Sequence, residues 1–204
     1  MNGPQIILLG LMGAGKTSVG RELSRRLQIP FTDLDHLIEQ QQGRRIPEIF
    51  AVDGEQAFRE IEHAALERAL QECPGVLALG GGAAMDPRSQ TLLAGHPVVW
   101  LDVDERTARR RIGHGRGRPM LTGPDPMARW RELAAQRDPV HRKLARWRVD
   151  AGHGAASAVA RAIIETMGRS TAPAQKHSAD HRPEPNSDPT TGPRITPSHE
   201  EETS

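Results

Sequence analysis

The sequence predicts an α/β protein with one parallel, doubly wound sheet that carries helices on both faces. Five short apolar segments alternate along the chain with longer amphipathic segments, which is the order expected of strand–helix units. Two of the short segments, Val76–Leu79 and Val98–Leu101, are apolar without interruption, as in parallel strands that are covered on both sides. A glycine-rich phosphate-binding pattern follows the first short segment directly.

The individual elements follow from the spacing of the apolar residues. The expected strands are Ile6–Leu9, Phe31–Leu34, Val76–Leu79, Val98–Leu101 and Arg148–Asp150. Apolar residues repeated three or four positions apart indicate amphipathic helices between them. Such repeats are formed by Val19, Leu23 and Leu27, by Phe58, Ile61, Ala65 and Ala69, and by Trp130, Leu133, Val140 and Leu144.

Length and composition fit one globular domain followed by a tail. The 204 residues include 27 Lys and Arg against 26 Asp and Glu, a balance that argues against a nucleic-acid or membrane-surface protein. Residues 170–204 hold six of the sixteen prolines and one large apolar residue, Ile195, so we expect this Pro-rich acidic tail to be disordered. The expected domain, residues 1–169, carries 24 basic and 20 acidic residues, which suits a small acidic substrate.

Cysteine content and apolar runs bear on the compartment. The single cysteine, Cys73, excludes an intramolecular disulfide and favours a reducing compartment. The run Ile6–Gly15 is too short and too rich in glycine to span a membrane, and it lacks the basic segment that precedes a signal peptide core. We therefore expect a cytoplasmic protein that binds neither nucleic acid nor membrane. We also expect a monomer, although no sequence feature determines the oligomeric state.

The strongest motif is Gly10-Leu-Met-Gly-Ala-Gly-Lys-Thr17, which fits G-x-x-x-x-G-K-[ST] between a strand and a helix. Glycines let successive backbone N–H groups surround phosphate oxygens, and the helix dipole adds positive potential there. In such a loop Lys16 reaches the β- and γ-phosphates, and the Thr17 hydroxyl ligates Mg²⁺. The motif predicts use of a nucleoside triphosphate but leaves motor, switch, synthetase and kinase open.

Two carboxylates end the second expected strand. Asp33 and Asp35 are two residues apart, so in an extended segment both point to the same face at the carboxyl end of the sheet, where open α/β sheets bind ligands. One could position water around Mg²⁺, and the other could accept a proton or hydrogen bond from a substrate hydroxyl. The alternative is that Asp35 only caps the helix that begins at residues 36–38.

Two arginines lie near the inward stripes of helices. Arg59 follows Phe58 on its stripe, with Glu55 and Glu62 close enough in sequence for a solvated ion-pair network as the alternative to anion binding. Arg137 occupies an inward position, where a guanidinium is costly unless it meets an anion. We expect a substrate anion there, with a structural ion pair as the alternative, and Pro139 is expected to kink or end the helix.

Glycine-rich segments supply two further predictions. Gly80, Gly81 and Gly82 follow the third strand and suit a place where a ligand touches backbone, with a flexible turn as the alternative. The stretch 112–124 holds four glycines with Arg116 and Arg118, which predicts a mobile lid that brings arginine over the nucleotide, with an ordinary surface loop as the alternative.

Several other features are interpreted as structural. Asp102 and Asp104 follow the fourth strand and are expected to cap a helix. Asp102 also stands where a Walker B strand would carry its aspartate, but we interpret that likeness as incidental. Arg109–Arg111 is interpreted as the solvated end of that helix. The nine histidines show no spacing typical of a zinc site.

Together these motifs resemble shikimate kinase, a small P-loop kinase of aromatic amino-acid biosynthesis. The resemblance covers roughly residues 4–168 and rests on motifs in the family's order and spacing. These are Gly10–Arg21, Asp33-Leu-Asp35, Phe58-Arg59-Glu60, Gly80-Gly-Gly82, Arg118-Pro119 and Arg137-Asp-Pro139. The resemblance implies a three-layer αβα fold of the P-loop NTPase type, with strand order 2-3-1-4-5 and a mobile lid. It also implies transfer of the ATP γ-phosphoryl group to the 3-hydroxyl of shikimate.

The resemblance also assigns expected roles to the residues. Phosphates of ATP would be held by Gly13, Ala14, Gly15, Lys16, Thr17 and Ser18. One Mg²⁺ would be held by Thr17, with Asp33 ordering its water shell. Shikimate would be bound by Asp35, Arg59, Gly80, Gly81, Gly82 and Arg137. Lys16, Asp35 and Arg118 would be catalytic, with Arg118 closing over ATP and Asp35 holding the hydroxyls and serving as base.

The sequence departs from the family's pattern at three places. His141 stands where the family usually has tyrosine, Val140 replaces a leucine, and the segment 152–156 offers no match to the adenine-contacting position. The rival interpretations are a gluconate kinase, a nucleoside-monophosphate kinase and a non-catalytic nucleotide-binding switch. With six aromatic residues and no tyrosine, the chain has little with which to stack a nucleotide acceptor.

Overall fold

The sheet is parallel throughout, as the alternation of segments predicts. In this computed structural model, which describes residues 3–112 and 125–171, the strand order is β2-β3-β1-β4-β5, the order that the resemblance implies. The strands are β1 Pro4–Leu9, β2 Phe31–Asp33, β3 Gly75–Ala78, β4 Val98–Asp102 and β5 Trp147–Asp150. The segment with Arg116 and Arg118 and nearly all of the expected tail lie outside the described residues.

Eight α-helices belong to the described residues. Their bounds are α1 Lys16–Leu27, α2 Leu34–Gln42, α3 Ile46–Val52, α4 Gly54–Glu72, α5 Pro87–Leu93, α6 Glu105–Ile112, α7 Pro126–Leu144 and α8 Ala156–Thr171. A short 3-10 turn, Ala83–Met85, follows the glycine triplet. None of these helices is both long enough and apolar enough to cross a membrane.

Alternate side chains of the central strands divide the apolar interior into two cores. The first core contains Ile6 and Leu8 of β1 and packs against α1, α6, α8 and the first half of α7. The second core contains Ile7 and Leu9 and packs against α2, α3, α4 and α5. Parallel strands covered on both faces therefore explain the uninterrupted apolar segments.

Helix α7 differs from the others because it contributes to both cores. Its residues Met127, Trp130 and Leu133 belong to the first core, whereas Val140 and Leu144 pack against the second. The helix also continues through Pro139, so the prediction that this proline could end it is wrong. Burial of the stripe on either side of the proline offsets the loss of one backbone hydrogen bond.

Two further predictions about elements are corrected. The spacing predicts Leu27 on the inward stripe of α1, but Leu27 is the last residue of the helix and is 38% exposed. Strand β2 ends at Asp33 rather than at Leu34, because the Asp33 carboxylate accepts a hydrogen bond from the Asp35 backbone N–H and starts α2.

Gly75 provides a test of the packing at the start of β3. Its φ is +89°, and a Cβ there would press into the Pro30 carbonyl oxygen, which already accepts a hydrogen bond from the Val76 N–H at 2.9 Å. Gly43 also has a positive φ, +64°, but a Cβ there would meet no atom within 4 Å. Gly43→Ala therefore carries the backbone strain alone, and Gly75→Ala carries strain plus steric overlap.

We expect Gly43→Ala to lower the free energy of unfolding by about 1 kcal/mol and Gly75→Ala to lower it by roughly 3 kcal/mol or more. Urea denaturation of the full chain measures both. Equal losses for the two variants would contradict the close approach between β3 and Pro30.

Candidate active site

A cavity of about 920 Å³ lies at the carboxyl ends of β1, β2 and β3. Residues at or just after the ends of these three strands line it: the loop 11–18, the acidic pair Asp33 and Asp35, and Leu79, Gly81 and Gly82. Helices α2, α3, α4 and α7 contribute further charged and aromatic side chains. The cavity therefore lies where ligands bind in open α/β sheets.

The loop between β1 and α1 has the geometry of a phosphate cradle. Gly13 and Gly15 have φ values of +86° and +87°, a left-handed conformation that L side chains rarely adopt. These turns bring backbone N–H groups to the start of α1, which begins at Lys16. The Lys16 ammonium donates to the Gly10 carbonyl at 2.8 Å and so stays over the loop.

Thr17 and Asp33 form an oxygen pair at the end of this cradle. The Thr17 hydroxyl donates to Asp33 Oδ2 at 2.7 Å, while Asp33 Oδ1 caps α2. The alternative that Asp35 is the cap is therefore wrong, and the Asp35 carboxylate is left to face the cavity. A hydroxyl and a carboxylate beside a phosphate loop fit Mg²⁺, which prefers oxygen ligands and keeps several waters.

Each glycine of the triplet makes room for a charged side chain. A Cβ on Gly80 would overlap Asp35 Oδ1 and lie 3.0 Å from Glu62 Oε1. A Cβ on Gly81 would come within 3.2 Å of Arg137 Nη1, and one on Gly82 within 2.6 Å of Arg59 Nη1. The triplet is thus approached closely by the protein's own charged side chains, and contact of a ligand with its backbone stays a prediction.

Asp35 and Glu62 form a pair of carboxylates around Gly80. Burial, followed by the charge of Asp33, raises the pKa of Asp35, while Lys16 opposes this shift. Burial also raises the pKa of Glu62, and Arg59 opposes that shift. A carboxylate whose affinity for protons is raised is better suited to accept one from a hydroxyl than an ordinary aspartate.

Arg59 is both an ion-pair member and a lining residue of the cavity. Its guanidinium donates to Glu62 at 2.7 Å and to Glu55 at 3.0 Å. Burial opposes the charge, but the pairing with Glu62 and Glu55 raises the pKa of Arg59 above its ordinary value. The ion-pair alternative is thus realised, and it fixes a guanidinium that still faces the cavity.

Arg137 faces the same cavity without such partners. It is 4% exposed, and within the described part of the chain no carboxylate reaches it at ion-pair distance, because Glu55 and Glu62 pair with Arg59. Burial, followed by repulsion from Arg59, lowers the pKa of Arg137. The prediction of an inward guanidinium is confirmed, and Arg59 and Arg137 place two guanidinium groups at one end of the cavity, an arrangement that suits an anion.

Glu62 and Arg111 belong to the cavity lining, although neither is predicted there from the sequence. Glu62 is 4% exposed, and its position four residues after Phe58 on the apolar stripe could have indicated its burial. Arg111 lies exposed in the last turn of α6, as predicted, and its Nη1 also donates to the Gly13 carbonyl at 3.1 Å, which brings it to the cavity lining. No sequence pattern marks that contact, which joins residues 98 positions apart.

Asp102, the last residue of β4, and Asp104 are structural, and the prediction that they cap a helix is confirmed for Asp104 and wrong for Asp102. Asp104 accepts a hydrogen bond from the Thr107 N–H at 2.7 Å and caps α6. Asp102 instead pairs with Arg148 on β5, whose Nε donates to Asp102 Oδ2 at 3.0 Å. Neither residue lines the cavity, and among the described residues no cluster of three or more His, Cys, Asp or Glu could hold a metal ion.

His141 lies one helical turn after Arg137 on the buried face of α7. It is fully buried, and its ring packs edge-on against Trp100 with 5.9 Å between the ring centroids. Neither ring nitrogen has a hydrogen-bond partner among the described residues. Burial, then the charges of Lys16 and Arg137, lowers the pKa of His141 to about 4. The imidazole is therefore neutral at neutral pH.

The parallel sheet, the phosphate loop and the two arginines define a P-loop enzyme of the small-molecule kinase class. The family model for shikimate kinase matches residues 12–168. The chain is 44% identical over 164 residues to the shikimate kinase of Mycobacterium avium, covering 80% of this chain and 93% of that protein. It is 43% identical over 164 residues, with the same coverage, to that of Mycobacterium tuberculosis. The chain belongs to the shikimate kinase family.

Solved structures agree with this assignment. Shikimate kinase from Acinetobacter baumannii in complex with shikimate matches with a TM-score of 0.79 and 35% identity, covering 83% of this chain and 94% of that one. A gluconokinase from Sinorhizobium meliloti matches with a TM-score of 0.55 and 19% identity, covering 82% of this chain and 93% of that one. The second match shows the fold alone, so the gluconate alternative is not favoured.

His141 should make the free energy of unfolding depend on pH. Its pKa is about 4 in the folded chain, against 6.5 for an ordinary histidine, so the unfolded chain binds the proton more tightly. Stability is therefore lost as pH falls through 6.5 toward 4. Between pH 7.5 and pH 5 we expect the protonation of His141 to lower the free energy of unfolding by about 2 kcal/mol.

Urea denaturation of wild type and His141→Phe at both pH values measures this contribution. Between pH 7.5 and pH 5, the free energy of unfolding of His141→Phe should fall by about 2 kcal/mol less than that of the wild type. The same loss in both proteins would contradict the placement of a neutral histidine in this interior position.

Proposed function

We propose that the chain transfers the γ-phosphoryl group of ATP to the 3-hydroxyl of shikimate, giving shikimate 3-phosphate and ADP. The observation that carries this proposal is the pair Arg59 and Arg137, which face the cavity beyond the phosphate loop. Shikimate is a polyol with one carboxylate, so it offers both the anion that this end of the cavity requires and a hydroxyl to receive the phosphoryl group. Family membership supports the same substrate.

The donor end of the cavity consists of the phosphate loop. Gly13, Ala14, Gly15, Lys16, Thr17 and Ser18 would hold the phosphates through backbone N–H groups, the ammonium and hydroxyls. Thr17 and Asp33 would hold one Mg²⁺, which neutralises phosphate charge when it is bound. Arg118, which lies outside the described residues, is proposed to close over ATP.

The acceptor end is formed by the second and third strands with α4 and α7. Arg59 and Arg137 would bind the carboxylate, and the backbone of Gly80, Gly81 and Gly82 would border the ring. Asp35 would hold the reacting hydroxyl and accept its proton, a role supported by its raised pKa. Lys16 would stabilise the charge that develops on the transferred group.

Most of the catalytic effect in phosphoryl transfer comes from positioning and charge stabilisation. The side chains that would position the acceptor are themselves held: Arg59 by two glutamates and Arg137 by burial on α7. We further propose that the enzyme works in the cytoplasm as a monomer in aromatic amino-acid biosynthesis, with ATP and shikimate as its partners and neither nucleic acid nor membrane.

A coupled ADP-release assay with Mg-ATP tests the proposal. Shikimate, gluconate and dAMP are offered in parallel, and we expect ADP release that depends on shikimate alone. Turnover with gluconate but not with shikimate would mean that the two arginines hold a different carboxylate. ADP release with none of the three would overturn the proposed activity.

Arg137→Ala should weaken binding of the acceptor selectively. We expect the KM for shikimate to rise at least about 100-fold, equivalent to roughly 2.7 kcal/mol, because a buried charge pair would lose one member. The KM for ATP should change less than about threefold, since Arg137 lies at the acceptor end.

Arg142→Ala is the matched control, because Arg142 is an exposed arginine on the same helix. It should leave both KM values unchanged. A parallel loss of ATP binding in Arg137→Ala would contradict the role assigned to Arg137.

A further inference from the structure

Helix α7 reaches both ends of the cavity. Near its start, Trp130 is 5% exposed and its indole N–H donates to the Met12 carbonyl of the phosphate loop at 3.0 Å. Two turns later the same buried face carries Arg137, which faces the acceptor end of the cavity. The step of seven positions from Trp130 to Arg137 spans about 10 Å of helix axis.

The surroundings of α7 make this link stiff. Trp130 belongs to the first core, as do residues of the phosphate loop, whereas Val140 and Leu144, beyond Arg137, pack against the second core. Met12 itself packs against the first core and lines the cavity. A single helix, fixed at both halves by different cores, thus holds a contact to the loop and a guanidinium at the acceptor end.

We propose that Trp130 is a positioning residue that fixes the phosphate loop relative to Arg137, and thereby sets the distance between donor and acceptor. This inference rests on the proposed function. In-line transfer needs the attacking oxygen about 3–3.5 Å from the phosphorus, and misplacement by about 1 Å can cost about a hundredfold in rate. The indole N–H ties α7 to a loop carbonyl whose position decides where the phosphates lie.

Two substitutions separate the hydrogen bond from the packing. Trp130→Phe keeps an aromatic ring in the core but removes the N–H donor. Trp130→His removes the benzo ring but keeps a ring N–H at the same position relative to Cβ. Trp147→Phe, at a half-buried tryptophan of β5 whose ring stacks with Arg146, is the control for loss of an indole elsewhere.

Steady-state kinetics with ATP and shikimate at pH 8, together with thermal melting, give the readout. We expect Trp130→Phe to lower kcat about tenfold to a hundredfold while both KM values stay within about threefold, because the ligands of each substrate remain. Trp130→His should melt at a lower temperature yet keep kcat within about threefold of wild type. Trp147→Phe should keep wild-type kcat.

Three results would overturn the proposal: a kcat for Trp130→Phe within twofold of wild type, an equal loss of kcat in Trp130→His, or a change confined to the KM for ATP. If Trp130→Phe does not fold, β-(3-benzothienyl)alanine at position 130 removes the N–H from an isosteric ring, and the same kcat criteria apply. Absence of shikimate-dependent turnover in the wild type would contradict the proposed function instead, so the two failures are distinguishable.

Discussion

The burial of the Arg137 guanidinium is the constraint on which the rest of this site depends. A charge that is 4% exposed is costly to hold without a counter-ion, and the two nearest glutamates of α4 are already paired with Arg59. Within the described part of the chain Arg137 is thus left without a carboxylate partner, which suits an anionic ligand at this end of the cavity. A carboxylate bound there, as proposed, would offset the cost of burying Arg137.

The fold holds this charge in place with groups from distant parts of the sequence. The glycine triplet after β3 lacks the Cβ atoms that would overlap Asp35, Arg137 and Arg59, so three charged side chains can converge on one short segment. Glu62 neutralises Arg59 and, with Asp35, adds negative charge beside Gly80. The acceptor end therefore alternates cations and carboxylates, which suits a ligand with one carboxylate and several hydroxyls.

Local patterns made much of this molecule predictable. The strands, the phosphate loop and the inward place of Arg137 follow from apolar periodicity and motif spacing, because each depends on neighbours within a few residues. Arg111 at the Gly13 carbonyl and Trp130 at the Met12 carbonyl were not predictable in that way, since these contacts join residues 98 and 118 positions apart. The place of Glu62 on the stripe could have indicated its burial; its ion pair with Arg59 was the alternative that the sequence left open, and the pair forms with Glu62 buried. The roles of the site residues in catalysis remain predictions.

Calorimetric titration of the wild-type protein with shikimate and with its methyl ester asks directly whether this end of the cavity binds an anion. The ester keeps the ring and hydroxyls but removes the negative charge that Arg137 and Arg59 are expected to bind. We expect the ester to bind at least about 100-fold more weakly than the acid, a difference of roughly 2.7 kcal/mol. Equal Kd values for the two compounds would contradict a carboxylate held by the two arginines.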